Sequence, residues 1–415
     1  MFRARLVLQS LIVAAVTVVL TGVSGADPGF APLDSGLVAL RASRPEQALP
    51  FFERAVADSP AHVIARCWLA ETRRRSGRPE EAARDARAAL ALDPHSSFAH
   101  AVLADCYDPS MSGWPGASAD SAWTHIRQAA AGDPRNGEAW LSVWKHSVAR
   151  GDSARERESL QALDRIGYFT PAVIAYNRWQ LEFLPQRAVL LTRGDTDTYP
   201  SAMLQTVSGV RADVAIVNAS LLNWPDYAKA IGRRTGLPLP ARIDSSKAPR
   251  DSVAGAWPGG VADRVVSSWA DSVKRGAFPR PLAVAASASR VGETPALLGR
   301  LTLAGPFYDV ARDTGAAPDD LPRLRATVAA IDPPAFAGPW ASDLDPSPIR
   351  VAGAGGLGVN LLNAALHFGR AALEAGDKPG ALAALAKLDS LTTVIGAGQV
   401  TRARIRRLRT AATRP

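Results

Sequence analysis

Apolar and polar positions follow two rhythms along this chain. From about Phe30 to Ile166 apolar residues recur at helical spacing, and small residues punctuate them at a fixed interval. Pro60 and Pro94 lie 34 residues apart, as do Ala48 and Ala82, and Ala55 and Ala89. Pro134 follows Pro94 by 40, and the six extra residues fall in "YDPSMSGWPGASAD", a loop rich in Gly, Pro and Ser. Beyond it the pattern resumes at Ala122, Ile126 and Ala129. This period predicts an array of helical hairpins, each burying one face only by stacking on its neighbour. Leu69-Ala70 and Leu103-Ala104 fill first-helix core positions. Ala48, Ala82 and Ala122 let paired helices cross closely, and Gly77 and Gly151-Asp152 make turns. The prolines lie where second helices end, since proline lacks the amide that would continue them.

From Tyr168 the rhythm changes. "RAVLLTRG", "DVAIVNA" and "PLAVAASA" are short apolar runs of strand type. "SAMLQTVSG" reads as a helix between the first two, and "ADRVVSSWADSVKRG" as a helix before the third. A strand–helix–strand crossover predicts parallel strands in a small α/β domain. A last helical hairpin, "LNAALHFGRAALEAGDKPGALAALAKL", turns at Gly376-Asp377 with Ala381 at its crossing. The expected organisation is a signal segment over 1–26, a hairpin array over 27–167, an α/β domain over 168–310 and a helical region over 311–415.

The signal reading rests on Arg3 and Arg5 before an apolar run from Leu6 to Leu20, then the small residues Ser24, Gly25 and Ala26. Cleavage after Ala26 would release an exported protein, periplasmic or secreted; an uncleaved anchor is the alternative. The chain has 415 residues and a formal charge of +9. Acidic residues are interspersed through most of it and no recognition motif appears, so solvated helix faces explain the charge and nucleic acid is not the expected partner. The Arg-rich stretch from Arg402 to Arg409 leaves contact with an anionic membrane surface as an option. Cys67 and Cys106 sit out of step on their helices, which predicts two buried free thiols rather than a disulfide.

The array resembles the tetratricopeptide repeat, over roughly Phe30 to Ile166. Its first repeat departs from the pattern, with Ser35-Gly36 in place of a Leu-Ala pair. The resemblance implies a concave surface that binds a protein or peptide, lined by Ile64, Cys67, Glu71, Phe98, Ala101, Asp105, Glu138, Leu141 and Lys145. The Lys/Asn set that clamps a terminal carboxylate in chaperone-binding members is absent from those positions. Packing of the helices on the next domain explains the same faces without any partner.

The candidate chemistry lies in "AVLLTRGDTDTYP", Ala188 to Pro200. Ligands of α/β sheets sit beyond the carboxyl ends of strands, and Asp195, Asp197, Thr198, Tyr199, Asn218 and Ser220 all fall on that edge. Two carboxylates two residues apart can hold a divalent cation through oxygen. A strand ending in Asp-x-Asp is also similar to the metal and nucleotide-sugar motif of many glycosyltransferases. The alternative needs no ligand: Thr198 caps the following helix, Pro200 sits in its first turn and the aspartates favour its dipole.

A second resemblance covers about Leu184 to Leu388. Gly194, Asp195, Asp197, Thr198, Tyr199, Pro200, Arg211, Asp213, Val214, Val217, Asn218, Ser220, Leu221, Leu222, Trp224 and Tyr227 resemble a segment in the soluble tail of the protein O-mannosyltransferase-like bacterial membrane family. The multi-span part that would carry glycosyl transfer there has no counterpart in this sequence, and Thr196 replaces the more usual Asn. The resemblance implies a shared soluble module, not a shared reaction.

No histidine or cysteine falls in the α/β domain, which removes a Ser-His-Asp triad, a Cys nucleophile and a His-rich zinc site from that edge. "GAGGLG", Gly353 to Gly358, satisfies Gly-x-Gly-x-x-Gly but lacks a second strand behind it, so a flexible helix start is the expectation. The resulting expectation is a non-catalytic, exported partner-binding scaffold linked to envelope glycosylation, with no obligatory cofactor. The alternative is a glycan- or nucleotide-sugar-binding module that uses Asp195 and Asp197 on a divalent cation.

Overall fold

The computed structural model describes residues 31–42, 44–109, 111–112, 114–241, 243, 260–291, 294–313, 319–341 and 348–414. The signal segment read at 1–26 lies outside the described residues. The fold is mainly helical, with one small mixed sheet.

Four hairpins form the array: α1 (Ala31–Arg41) with α2 (Pro45–Asp58), α3 (Val63–Arg75) with α4 (Pro79–Leu92), α5 (Ser97–Tyr107) with α6 (Ala119–Gly132), and α7 (Gly137–Arg150) with α8 (Ser153–Arg165). Their starts are written locally. Pro45 and Pro79 occupy first-turn positions that need no amide. Ser96, Ser118, Asn136 and Asp152 each accept an amide of the turn they begin. The crossing alanines Ala48, Ala82 and Ala122 are fully buried. The departure in the first repeat has a steric cause: a Cβ on Gly36 would come within 2.6 Å of the Phe52 ring, which is fully buried against it.

After the array, α9 (Pro171–Glu182) leads into β1 (Val189–Thr192), α10 (Asp195–Ser208), β2 (Ala215–Asn218), α11 (Pro225–Thr235), α12 (Val261–Lys274) and β3 (Leu282–Ala285). Then β4 (Leu301–Leu303) and β5 (Phe307–Val310) form a hairpin. The sheet order is β2-β1-β3-β5-β4. Strands β2, β1 and β3 run parallel, as the crossover reading expects, but β5 is antiparallel to both β3 and β4, so the sheet is mixed. The hairpin turns at Gly305, whose φ of +110° and close approach to Thr327 both favour a residue without Cβ.

The C-terminal helices are α13 (Leu321–Ala329), α14 (Pro348–Glu374), α15 (Lys378–Ile395) and α16 (Gln399–Ala412). The turn between α14 and α15 uses Gly376 at φ +73°, and Ala381 is fully buried. "GAGGLG" lies inside α14, so it forms no phosphate loop; a Cβ added at Gly358 would come into ordinary van der Waals contact with Trp340 and Ile395.

Two large cores hold these parts together. One runs without interruption from Leu141, Trp144 and Val148 of α7 through β1, β2 and β3 to Trp269 of α12. The other joins Val173, Tyr176 and Trp179 of α9 to α13 through α16. Helix α9 therefore serves both. Its Trp179 indole donates to the Thr327 carbonyl, and its Asn177 amide donates to the Thr196 carbonyl at the start of α10.

Candidate functional site

The polar residues at the carboxyl end of β1 are engaged mainly with the protein's own backbone. Helix α10 starts at Asp195, earlier than a Thr198 cap would require. Gly194 is the N-cap, and Asp197 at the third helical position reaches back to it: its carboxylate accepts the amides of Gly194 (2.8 Å) and Arg193 (3.2 Å) and the Ser287 hydroxyl (2.7 Å). Burial pushes its carboxyl above the ordinary range, and these donors pull against that shift. Thr198 points to the strand instead. Its hydroxyl lies 2.7 Å from that of Thr192 and accepts the Asn218 side-chain amide at 3.0 Å. Asn218 Oδ1 in turn accepts the Leu221 amide. Tyr199 is buried edge-on against Trp144, 5.0 Å between ring centres. Asp195 is half-buried, and Ser220 is exposed with its hydroxyl 3.3 Å from the Arg193 carbonyl. No group of three or more His, Cys, Asp or Glu with metal-holding geometry occurs among the described residues.

The rest of that segment is built the same way. Arg211 adopts a positive φ of 47°, and its guanidinium donates to the carbonyls of Leu181, Leu184 and Pro185 while pairing with Asp213. One side chain thus ties the end of α9 to the approach of β2, which accounts for an Arg-x-Asp pair as structural apparatus.

The residues expected along the concave face are dispersed by depth. Ile64 is exposed; Phe98, Asp105 and Glu138 are half-buried; Glu71, Leu141 and Lys145 are buried. Arg74 brings two of them together, bonding Glu71 at 2.7 and 2.8 Å and lying 3.6 Å from Asp105. Burial opposes ionisation of Glu71, but Arg74 and Arg75 outweigh it and hold its carboxyl down to about 2. Phe98 meets Trp68 edge-on, and Glu138 accepts the Tyr168 hydroxyl at 3.0 Å. Cys67 and Cys106 are both buried and free.

Lys145 sits in a cluster that the sequence did not disclose. Its ammonium lies 2.8 Å from Asp108, whose carboxylate is also 3.2 Å from His146 Nε2. Burial disfavours the Asp108 charge, yet Lys145 and His146 hold the carboxyl well below the usual range. His146 packs against Trp224 of the α/β region at 5.0 Å. Asp108 also begins the loop between α5 and α6, where its carbonyl accepts the amides of Met111 and Ser112. The cluster therefore pins this loop to α7 at the place where α7 packs on α11.

That loop forms one wall of an open groove of about 580 Å³. Met111, Trp114 and Pro115 line it on the loop side, and Arg74, Arg78, Arg84 and Asp105 on the side of the second hairpin and α5. Met111 is exposed and Trp114 half-buried, tilted on Tyr107. The groove combines apolar surface with a lining of mixed charge, in which the guanidinium groups are joined by the carboxylates of Glu80, Glu81 and Asp105.

Residues 33–97 match the family described as tetratricopeptide repeat. The first two hairpins of the array are tetratricopeptide repeats. Residues 174–251, which include "GDTDTYP" and the Arg211–Asp213 segment, match the family described as TMEM260-associated domain 2. Among solved structures, the chain is similar to a thermophilic TPR protein of Thermus thermophilus, at 21% identity over 50% of this chain and 97% of that one, with a TM-score of 0.33. A tetratricopeptide repeat protein of Parabacteroides merdae aligns at 11% identity over 93% of this chain and 99% of that one, with a TM-score of 0.29. No curated protein matches the chain.

Proposed function

We propose that the chain is a non-catalytic scaffold that binds a protein segment on its tetratricopeptide-repeat domain, outside the cytoplasm and in the service of envelope glycosylation. The observation that carries this reading is the groove beside the α5–α6 loop, with Trp114 and Met111 as apolar anchors and Arg78 and Arg84 at its rim. Repeat arrays of this kind use extended curved surfaces for partners, and aromatic and Arg side chains dominate the energetics of such contacts. Export rests on the Arg3–Ala26 pattern, and the glycosylation link on the resemblance of the Gly194–Tyr227 segment. The sugar- or cation-binding alternative draws on Asp195 and Ser220, the residues of the expected set most open to solvent at the sheet edge.

A photocrosslinking side chain placed at Met111 in the producing cells tests the reading. It expects a protein adduct that disappears in Trp114→Ala, and none from the same probe at Ser220. An adduct from Ser220 alone, or one insensitive to Trp114, contradicts it.

A further inference from the structure

Helix α16 carries five arginines, Arg402, Arg404, Arg406, Arg407 and Arg409, and no acidic residue. Its apolar residues Ile405, Leu408 and Ala412 are buried against α14 and α15. At 100° per residue these three fall on one side, while Arg406 and Arg407 flank the centre of the opposite side, with the other arginines on its shoulders. All five arginines are exposed. Among the described residues only Arg409 has a carboxylate partner, Asp389; Arg404 bonds the Asn363 side chain and Arg402 the Ala397 carbonyl.

We propose that this face of α16 is a docking surface for the anionic headgroups of a lipid bilayer. Two features select that occupant. The apolar side of the helix is already used, and of its larger apolar side chains only Val400, in its first turn, is exposed. A partner therefore finds much charge and a single such side chain, which fits peripheral electrostatic adsorption rather than insertion. The guanidinium groups also spread along the exposed side of the helix rather than converging on one point. Mobile headgroups can rearrange to meet such an array, whereas a folded partner would need fixed carboxylates in register with it. Guanidinium forks pair readily with phosphate oxygens.

The test uses the full chain on phosphatidylcholine vesicles with and without about one-third phosphatidylglycerol, a range in which each basic side chain contributes about 1 kcal/mol. Comparing the two vesicle types cancels any binding by the apolar N-terminal run. Arg406→Gln/Arg407→Gln should weaken the excess binding to anionic vesicles about 30-fold, the loss for two such charges. Arg406→Lys/Arg407→Lys should retain most of it. Arg135→Gln/Arg157→Gln, which removes the same net charge from exposed array positions, should retain it too. All four residues are exposed, so the fold should survive, which a melting curve verifies. Equal binding to both vesicle types overturns the proposal, as does equal loss in the array control. Displacement from vesicles by duplex DNA at lower concentration than by soluble phosphatidylglycerol would reassign the face to nucleic acid and overturn it as well.

Discussion

Lys145 Nζ lies 2.8 Å from Asp108 Oδ2, and neither side chain is more than 8% exposed. A buried pair of this kind contributes little net stability compared with apolar residues of the same shape, but losing one partner strands a charge and costs about 3–5 kcal/mol. Asp108→Asn should therefore lower the unfolding free energy by about that amount, while Asp108→Leu/Lys145→Met recovers most of it. Urea unfolding at neutral pH measures both. A loss below about 1 kcal/mol in the single variant would mean that water reaches the pair.

Three histidines make the array sensitive to mild acid. His100, His125 and His146 are all held below the ordinary imidazole value, chiefly by burial. His100 Nδ1 faces His125 Nδ1 at 3.0 Å, and His100 Nε2 faces the Pro94 carbonyl at 3.2 Å. The carbonyl needs a donor, so neutral His100 carries its proton on Nε2 and accepts from His125. A second proton on His100 would break that arrangement. Below about pH 6.5 the unfolded chain binds more protons than the folded one, so stability falls with pH, by at most about 1.4 kcal/mol per unit per histidine. Melting between about pH 7.5 and about pH 5.5 should show this slope, and His100→Gln/His125→Gln should flatten it. An unchanged slope in that variant would assign the effect elsewhere. Glu71 and Asp108 act only in a lower window, below the unfolded carboxylate values near 4.

Gly137 opens α7 beneath the Tyr168 ring, where an added Cβ would lie 2.0 Å from a ring carbon. Alanine favours a helix over glycine by about 1 kcal/mol, but overpacking against a buried aromatic costs about 1–3 kcal/mol. Since Tyr168 is only 2% exposed and its hydroxyl is bonded to Glu138, the ring cannot move freely and the steric effect wins. Gly137→Ala should destabilise the protein. The same change with Tyr168→Leu should cost less than the sum of the two, in a double-mutant cycle by denaturant.

Burial raises the Cys67 thiol to about 11 and the Cys106 thiol to about 12. Neither holds much thiolate at neutral pH, and thiolate is the reactive form. A disulfide reagent should label neither in the native chain and both in denaturant. Rapid native labelling of either would place it on an accessible surface.

The repeat domain was legible because its signals are local and periodic. Ala48, Ala82 and Ala122 mark crossings, and Pro60 and Pro94 mark helix ends at the same interval. Strands β1, β2 and β3 showed as apolar runs because most of their residues are buried. The β4–β5 hairpin did not, since its strands span three and four residues and are mostly half-exposed, leaving no run to read. "GAGGLG" suggested a flexible helix start because glycine disfavours helix, yet the buried apolar residues Leu357, Leu361 and Leu362 within and after it carry the helix through. The Asp108–Lys145–His146 cluster was hidden for another reason. Asp108 lies far in sequence from the adjacent Lys145 and His146, and a Lys or His in a helix reads as solvated until packing buries it.

The sharpest test of the account concerns Asp195 and Asp197, which a cation site would use alike and the helix cap uses unequally. The full chain and its Asp195→Asn and Asp197→Ala variants are melted alone, then with Mn²⁺ and a nucleotide-sugar. Asp197→Ala should lose about 1–3 kcal/mol without any ligand, since it abandons two partly buried amides and a hydroxyl. Asp195→Asn should lose less than about 1 kcal/mol, and added ligand should shift none of the three. Wild-type stabilisation of about 2.7 kcal/mol at a hundredfold excess over the dissociation constant, abolished equally in both variants, would contradict the account.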